Sequence, residues 1–198
     1  MGKGMSKQTV IIYGGAFDPP HRGHEVLIRA ALNLHPVWIM PSYFDPFGKE
    51  MTHAADRYNM CQLMADQTGA QVSAFELVNR LVNGTYDMVC QLREAFDYNF
   101  KVLIGMDQAK CIHEWRHADA LLKEVVFVTA DRKGEDENDD RWYERSPHCR
   151  IHVPNLVDIS STQIRNELRI ANSKVGKCVN PQVLQYIRKN HLYEPVHA

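Results

Sequence analysis

Short apolar runs that alternate with amphipathic stretches are the feature that most restricts how this chain can fold. Strand and helix patterns alternate about five times along the chain. The clearest apolar runs are Thr9–Tyr13 (TVIIY), Val37–Met40 (VWIM), Lys101–Ile104 (KVLI) and Val125–Thr129 (VVFVT). They are short and rich in β-branched residues, which is typical of buried strands. Because continuous apolar strands separated by helices form parallel sheets, the sequence predicts an α/β fold with a doubly wound parallel sheet covered by helices on both faces.

The length predicts a single domain. At 198 residues the chain has room for one sizeable core. We expect this domain to occupy residues 9–193, after a flexible extension over 1–8 and before a tail over 194–198. Residues 131–150 contain the acidic run GEDENDD at 134–140, and we expect them to form a mobile loop. Such a loop is either a solvated connection or a lid near a substrate.

Composition restricts the class of partner. The formal net charge is −1, so a duplex nucleic acid, which requires a basic surface, is not expected. The five cysteines include no CxxC pair, which favours free thiols in a reducing cytoplasm. No apolar run approaches the roughly 18 residues of a membrane helix. We therefore expect a cytoplasmic protein without a membrane partner, for which a small polyanion in a local pocket remains an option.

The stretch GGAFDPPHRGH, at residues 14–24, is typical of a phosphate-binding turn. Gly14 and Gly15 let backbone N–H groups approach a ligand closely, and His21 and His24 share one face of a helix start. A helix N-terminus attracts anions, and imidazoles there can donate to phosphate oxygens. A metal-binding pair is the alternative, but HxxH lacks a third ligand in register, so we predict no metal ligands. Ordinary surface histidines are the other alternative.

A second segment, DISSTQIRNEL at residues 158–168, has the same character. Ser160, Ser161 or Thr162 caps a helix, and Arg165 falls on its first turn. Hydroxyls, free N–H groups and a guanidinium then converge on one phosphate site. The alternative is a plain capping motif with a solvent-exposed arginine. Two such segments in one small domain favour a single shared polyphosphate ligand.

Together these segments resemble the nucleotidylyltransferase superfamily, through HxGH after the first strand and ISSTxIR before a late helix. Within it the chain most resembles the nicotinate/nicotinamide mononucleotide adenylyltransferase family, from Thr9 to Tyr193. The similarity includes VWIMP, IGMDQ with Trp115 downstream, and the closing VNPQVLQYIRKNHLY. The resemblance implies a Rossmann-like fold of the nucleotidylyltransferase type. Met106 stands where the family usually has a small alanine, so we expect the floor of that pocket to differ.

The resemblance also implies a reaction. Members of the family transfer AMP from ATP to a pyridine mononucleotide, which releases pyrophosphate and forms the dinucleotide of NAD biosynthesis. The acceptor phosphate attacks directly and in line, without a covalent enzyme intermediate, and Mg²⁺ bridges phosphate oxygens. The implied partners are ATP and nicotinate or nicotinamide mononucleotide; the sequence leaves the choice of acceptor open and also allows a homo-oligomer.

Individual residues take roles from this resemblance. The implied catalytic ligands of the ATP phosphates are His21, His24 and Arg165. The other implied ATP contacts are Gly14, Gly15, Ala16, Phe17, Gly105, Asp107, Ile159, Ser161 and Thr162. The implied mononucleotide contacts are Lys49, Arg57, Thr85, Asp107 and Trp115. Trp115 could instead be a half-buried core indole, and Asp107 a helix N-cap.

Three other functions compete with this interpretation. One is an adenylyltransferase for another phosphorylated acceptor, such as phosphopantetheine, against which the elements around Thr85 and Trp115 argue. Another is a protein that senses ATP or NAD without turnover. The last is a fragment of an aminoacyl-tRNA synthetase, but the chain has ISSTQIR where a KMSKS-type loop would stand, and no basic surface.

Overall fold

The computed structural model describes residues 7–45, 48–131, 141–154, 159–170 and 173–194. Its strands are β1 (Thr9–Gly15), β2 (Val37–Pro41), β3 (Gln71–Val72), β4 (Asn99–Gly105), β5 (Val126–Asp131) and β6 (Cys149–His152). Its α-helices are α1 (Arg22–Leu32), α2 (Ala54–Thr68), α3 (Phe75–Val78), α4 (Thr85–Ala95), α5 (Met106–Lys110), α6 (Ala118–Glu124), α7 (Ser161–Arg169) and α8 (Pro181–Lys189). The strands form one sheet in the order β3-β2-β1-β4-β5-β6, with every neighbouring pair parallel. The predicted doubly wound α/β fold is confirmed.

The central strand β1 is buried on both faces of the sheet. Val10 and Ile12 pack into a core cluster shared with α4, whereas Ile11 and Tyr13 pack on the opposite face, against α1 and α2. Such two-sided burial is what a parallel sheet between helix layers requires, and it explains why the strand reads as a continuous apolar run.

The order of strands reverses at β1, which lies between β2 and β4. The ladder between β1 and β4 ends at the pair Ile12 and Val102, whereas the strands themselves continue to Gly15 and Gly105. Ligands of doubly wound sheets bind in the crevice at this reversal, beyond the carboxyl ends of the strands. The geometry of the sheet therefore predicts a ligand site at the ends of β1 and β4, each of which ends in a glycine.

A third apolar cluster fixes the C-terminal helices beside this edge of the sheet. Ile164 of α7 and Ile187 of α8 pack with Met60 of α2. This packing holds the start of α7 next to the turn that follows β1.

Among the helices of the described ranges, none has the length and apolar character needed to cross a membrane.

Two short helices were not predicted. One is α3, which begins at Phe75, shortly after the two-residue strand β3. The helix α5 follows β4 directly. Helices of four and five residues contain too few positions for a periodic apolar pattern. Met106, at the start of α5, is buried in the core cluster of β4 and β5. Its effect on the pocket floor stays a prediction.

Within the range 131–150, where a mobile loop is expected, the described residues include a segment anchored in the core. Trp142 and Tyr143 are buried in the core, and Trp142 Nε1 donates to the backbone carbonyl of Ala109 at 3.2 Å. These two aromatic residues, flanked by charges, are too brief a signal to reveal an anchored segment. Residues 132–140, which contain the whole acidic run, lie outside the described ranges.

Two residues of the expected N-terminal extension contact the chain that leads into β4. The Gln8 carbonyl accepts the Asn99 N–H at 2.9 Å, and Lys7 Nζ lies 2.6 Å from Asp97 Oδ1. The last two residues expected in the flexible extension are thus bound to the start of β4. Residues 1–6, and 195–198 of the expected tail, are outside the described ranges.

The packing of α4 predicts the effect of a core substitution. Leu92 is fully buried in the cluster that joins α4 to the sheet. Leu92→Ala should lower the free energy of unfolding by about 2–5 kcal/mol, because it leaves a cavity. Val78, which is 75% exposed, supplies the control: Val78→Ala should change it by less than about 0.5 kcal/mol. Urea denaturation measures both, and equal midpoints would contradict the assignment of Leu92 to the core.

Candidate active site

The end of β1 and the turn that leads to α1, together residues 14–21, form the floor of the candidate site. A Cβ added at Gly14 would meet no atom within 4 Å, so this position borders open space. A Cβ at Gly15 would lie 3.4 Å from the ring of Phe17, which covers that glycine. Phe17 is buried with φ of 50°, in the left-handed region that bulky residues rarely adopt. Its packing therefore fixes the path of the turn.

His21 and His24 stand together at the start of α1, as predicted. Their rings stack with centroids 3.7 Å apart and planes 26° apart. The His21 backbone N–H donates to His24 Nδ1 at 3.1 Å, as in a capping box. The His21 ring occupies the reciprocal position of the box but makes no hydrogen bond of normal geometry there. Because Nδ1 of a neutral His24 accepts, its proton must be on Nε2, which is left as a donor.

Burial keeps both imidazoles neutral in the free protein. It lowers the pKa of His21 to about 4. It lowers the pKa of His24 well below the ordinary value, and the neighbouring His21 lowers it further. The ring of Phe17, with its centroid 5.0 Å from that of His24, contributes to this apolar surrounding. An incoming anion would oppose the shift by favouring the protonated forms.

Arg57, a predicted mononucleotide contact, is buried against the backbone of the turn. Its Nη1 donates to the Ala16 carbonyl at 2.9 Å, and its Nε to the Thr52 carbonyl at 2.8 Å. The residue is only 1% exposed. In this conformation Arg57 supports the backbone of the turn, and its guanidinium is not presented to a ligand.

Two residues of α7 reach the same turn. Arg165 Nη1 donates to the Asp18 carbonyl at 2.7 Å, and Ser161 Oγ donates to the Pro19 carbonyl at 2.9 Å. Each of these carbonyls precedes a proline nitrogen that has no N–H, so the turn is rich in acceptors. Pairing the carbonyls with α7 removes acceptors that would repel an anion. Arg165 Nη2 also lies 3.2 Å from Thr162 Oγ1, so Thr162 lies beside this guanidinium.

The start of α7 is capped by Ser160, one of the three residues expected to do so. Its Oγ accepts the Gln163 N–H at 3.2 Å, and its N–H donates to Gln163 Oε1 at 2.8 Å. Ile159, just before it, packs against the α7 and α8 cluster. The capping box therefore fixes where α7 begins, and with it the position of Arg165.

The end of β4 faces the turn across the crevice. A Cβ added at Gly105 would lie 2.5 Å from Asp107 Oδ1, so the absence of a side chain lets this carboxylate fold back over the strand end. Gly105 is the N-cap of α5, and Asp107 is exposed in its first turn. Burial raises the pKa of Tyr13 at the end of β1, and the charge of Asp107 adds to the effect. Asp107 is therefore close enough to act on the opposite strand end.

The remaining predicted contacts, Thr85, Trp115 and Lys49, lie on other segments of the chain. Thr85 is the first residue of α4, and Trp115 is half-buried against the core. A hydrogen bond of 3.1 Å from Arg116 Nη1 to Asn83 Oδ1 connects the two segments that carry them. Lys49 is exposed in the connection between β2 and α2.

Sequence reasoning missed the role of Asp18. Its buried carboxylate accepts the Thr52 N–H on Oδ2 at 3.1 Å and the Tyr193 hydroxyl on Oδ1 at 2.6 Å. An aspartate before two prolines in a glycine-rich turn signals a local bond, but not one to the end of the chain.

The chemistry of the assembled site is that of an anion site. Imidazole N–H groups, a helix N-terminus and the Arg165 guanidinium converge beside two glycine strand ends. Within the described ranges, no group of three or more His, Cys, Asp or Glu side chains could hold a metal ion. The arrangement suits a polyphosphate held by donors and by positive charge.

Comparison with known proteins agrees with this geometry. The cytidylyltransferase-like family model matches residues 12–167. A Bacillus mycoides protein named "Probable nicotinate-nucleotide adenylyltransferase" is 32% identical over 193 residues, which cover 92% of this chain and 97% of that protein. The structure of Plasmodium falciparum nicotinic acid mononucleotide adenylyltransferase complexed with NaAD is 26% identical, with a TM-score of 0.82 over 94% of this chain and 97% of that one. The same Plasmodium enzyme complexed with APC gives a TM-score of 0.78 at 25% identity, over 94% of this chain and 97% of that one.

The family model spans most of the chain, and the relative matches it almost from end to end. The residues that form the crevice, from the end of β1 to Arg165, lie within the matched region. This chain therefore belongs to the cytidylyltransferase-like family and, within it, to the nicotinate-nucleotide adenylyltransferases.

Proposed function

We propose that this chain transfers AMP from ATP to the 5′-phosphate of nicotinate mononucleotide, releasing pyrophosphate and forming nicotinate adenine dinucleotide for NAD biosynthesis. The observation that carries the proposal is the stacked pair of His21 and His24 at the β1–β4 crevice, beside Arg165. The choice of nicotinate follows from the names of the relatives.

In the proposed reaction, a phosphate oxygen of the mononucleotide attacks the α-phosphorus of ATP. A new P–O bond forms, the bond from the α-phosphorus to the bridging oxygen breaks, and pyrophosphate leaves with that electron pair. The attacking phosphate is already a nucleophile, so the protein needs to supply only position and charge stabilisation. The site is suited to this role because its groups are donors held in fixed geometry.

The histidines and Arg165 act on the phosphates of ATP. His24 donates from Nε2, since its Nδ1 accepts the His21 N–H. Arg165 brings a permanent positive charge next to the turn. Charge that accumulates on the departing pyrophosphate is stabilised by these donors and by the N-terminus of α1.

We propose that magnesium enters with ATP as part of the substrate. Mg²⁺ commonly keeps several waters and binds substrate phosphates rather than a dedicated protein cage.

The acceptor is proposed to bind along the β4 side of the crevice. Asp107 has carboxylate oxygens that can accept ribose hydroxyls, and the exposed part of the Trp115 indole can stack on a pyridine ring. Thr85 is the first residue of α4, and its hydroxyl and the N-terminus of α4 can donate to a phosphate. Lys49 supplies a further exposed cation, whereas Arg57 serves the turn.

Substitution of His24 tests the histidine pair. His24→Ala should lower kcat by about a hundredfold or more, because a donor to the developing charge is lost. His35 lies just before β2, at the amino ends of the strands and so at the end of the sheet opposite the crevice; His35→Ala should therefore leave kcat unchanged. Steady-state pyrophosphate release measures both variants, and a normal kcat for His24→Ala would refute this role.

The identity of the acceptor is tested by parallel assays. With ATP and Mg²⁺, nicotinate mononucleotide should give a higher kcat/KM for pyrophosphate release than nicotinamide mononucleotide. A higher kcat/KM with nicotinamide mononucleotide would instead show that the enzyme prefers the amide acceptor. No release with either acceptor would reject the proposed reaction.

The lowered pKa values predict a dependence of stability on pH. The pKa of His21 falls from 6.5 to about 4 on folding, so the folded state binds fewer protons than the unfolded state between these values. The corresponding stability is complete above pH 6.5 and is lost as the pH falls toward 4. The variant His21→Asn retains a good N-cap residue. Its Tm should therefore decrease less between pH 6.5 and pH 4 than the Tm of the wild type. His113→Asn, at an exposed site, is the control, and equal losses in both variants would contradict the prediction.

A further inference from the structure

We propose that Tyr193 is a positioning residue for phosphate binding, which holds the β1–α1 turn in place through the carboxylate of Asp18. The inference rests on the proposed function, because it adds a residue from the end of the chain to the same site. Tyr193 need not contact the substrate; it acts through the turn that carries His21 and anchors Arg165.

The contact between Tyr193 and Asp18 is direct and sheltered. The Tyr193 hydroxyl donates to Asp18 Oδ1 at 2.6 Å, and the Asp18 residue is 4% exposed. The other oxygen, Oδ2, accepts the Thr52 N–H at 3.1 Å. Of these two donors, only the hydroxyl belongs to a side chain. Without it, one oxygen of a buried carboxylate would lose its hydrogen-bond donor, which is costly for a charged group.

Asp18 transmits this restraint to the phosphate-binding groups. Its own carbonyl accepts Arg165 Nη1 at 2.7 Å, and the next carbonyl, of Pro19, accepts Ser161 Oγ at 2.9 Å. His21 follows within the same turn. A shift of the Asp18 carboxylate therefore moves the acceptor that orients Arg165 and the chain that presents His21.

The chain after α8 is shaped to deliver the tyrosine. His191 and Tyr193 have φ of 52° and 65°, in the left-handed region that side chains other than glycine rarely adopt. The Leu192 N–H donates to the Ile187 carbonyl at 3.0 Å, which turns the chain back along the helix. Burial and the adjacent Asp18 raise the pKa of Tyr193, so its hydroxyl stays protonated and remains a donor.

A second tyrosine provides a matched control. The Tyr186 hydroxyl donates to Asp56 Oδ1 at 2.8 Å and accepts from Asn59 Nδ2 at 3.0 Å. It links α8 to α2 with the same chemistry, but it has no bond to the turn. Tyr193→Phe and Tyr186→Phe each delete one hydroxyl and keep the ring. Comparing them separates the general effect of losing a hydrogen bond from α8 or the residues after it from the specific effect of losing the bond to the turn.

The experiment compares kinetics, binding and stability of the two variants. Tyr193→Phe should raise the KM for ATP and the Kd for magnesium pyrophosphate, measured by calorimetry, by about tenfold, as expected for loss of one charge-assisted hydrogen bond. Tyr186→Phe should leave both within about twofold of the wild type, the ordinary range for a bond outside the site. Wild-type values for Tyr193→Phe, or equal losses in both variants, would overturn the proposal.

A double variant tests whether the two residues act through one bond. Asp18→Asn keeps the volume of the side chain and an acceptor oxygen, but it removes the charge. Combining it with Tyr193→Phe should raise the pyrophosphate Kd by less than the product of the two single effects. Full multiplication would mean independent roles and would overturn the proposal. If Tyr193→Phe alone does not fold, Asp18→Asn should by itself give the rise in KM and Kd, and unchanged values would refute the inference.

The wild-type enzyme separates this inference from the proposed function. Failure of the wild type to release pyrophosphate with nicotinate mononucleotide would reject the reaction, whereas pyrophosphate binding would still report on the turn. If the wild type turns over normally and Tyr193→Phe has the wild-type KM for ATP and Kd for pyrophosphate, only the positioning role is rejected.

Discussion

The pairing of three backbone carbonyls in one turn is the interaction on which the site depends. The carbonyls of Ala16, Asp18 and Pro19 are bound by Arg57, Arg165 and Ser161 respectively. Two prolines remove N–H groups from this turn, and unpaired carbonyls there would oppose the binding of phosphate. Donors from α2 and α7 cover them, so the negative ends of the peptide dipoles face protein. The helices are thus needed as hydrogen-bond donors as well as for packing.

The sheet creates the space that this turn borders. β1 has neighbours on both sides, but its ladder with β4 stops before the two strands end. Glycines at both strand ends keep the opening free of side chains, and Asp107 folds back over one of them. The histidine and Arg165 donors lie on the β1 side, and the exposed carboxylate of Asp107 lies on the β4 side. This asymmetry matches a ligand with phosphates at one end and sugar hydroxyls at the other.

The sequence predicted those parts of the molecule whose signals are local. The apolar runs predicted the sheet, and the spacing of His21 and His24 predicted their shared position on a helix start. The behaviour of Arg57 could not be predicted, because its partner in the turn is a backbone carbonyl 41 positions earlier in the chain, and every residue has a carbonyl. The contact of Tyr193 with Asp18 spans 175 positions and depends on how the final helix packs. The roles proposed for Thr85, Trp115 and Lys49 remain predictions.

The open space at Gly14 has a consequence for evolution and for protein engineering. A methyl group there meets no atom of the folded chain, so alanine would be accommodated without a steric penalty. Under the proposed function the same space is occupied once the nucleotide is bound. Selection for thermal stability or expression alone would therefore be blind to this position, whereas selection for catalysis would act on it strongly. Gly15 differs, because a side chain there would lie against the ring of Phe17 in the folded protein. Of these two adjacent glycines, Gly15 is thus constrained by packing, and Gly14 by the proposed binding of the nucleotide.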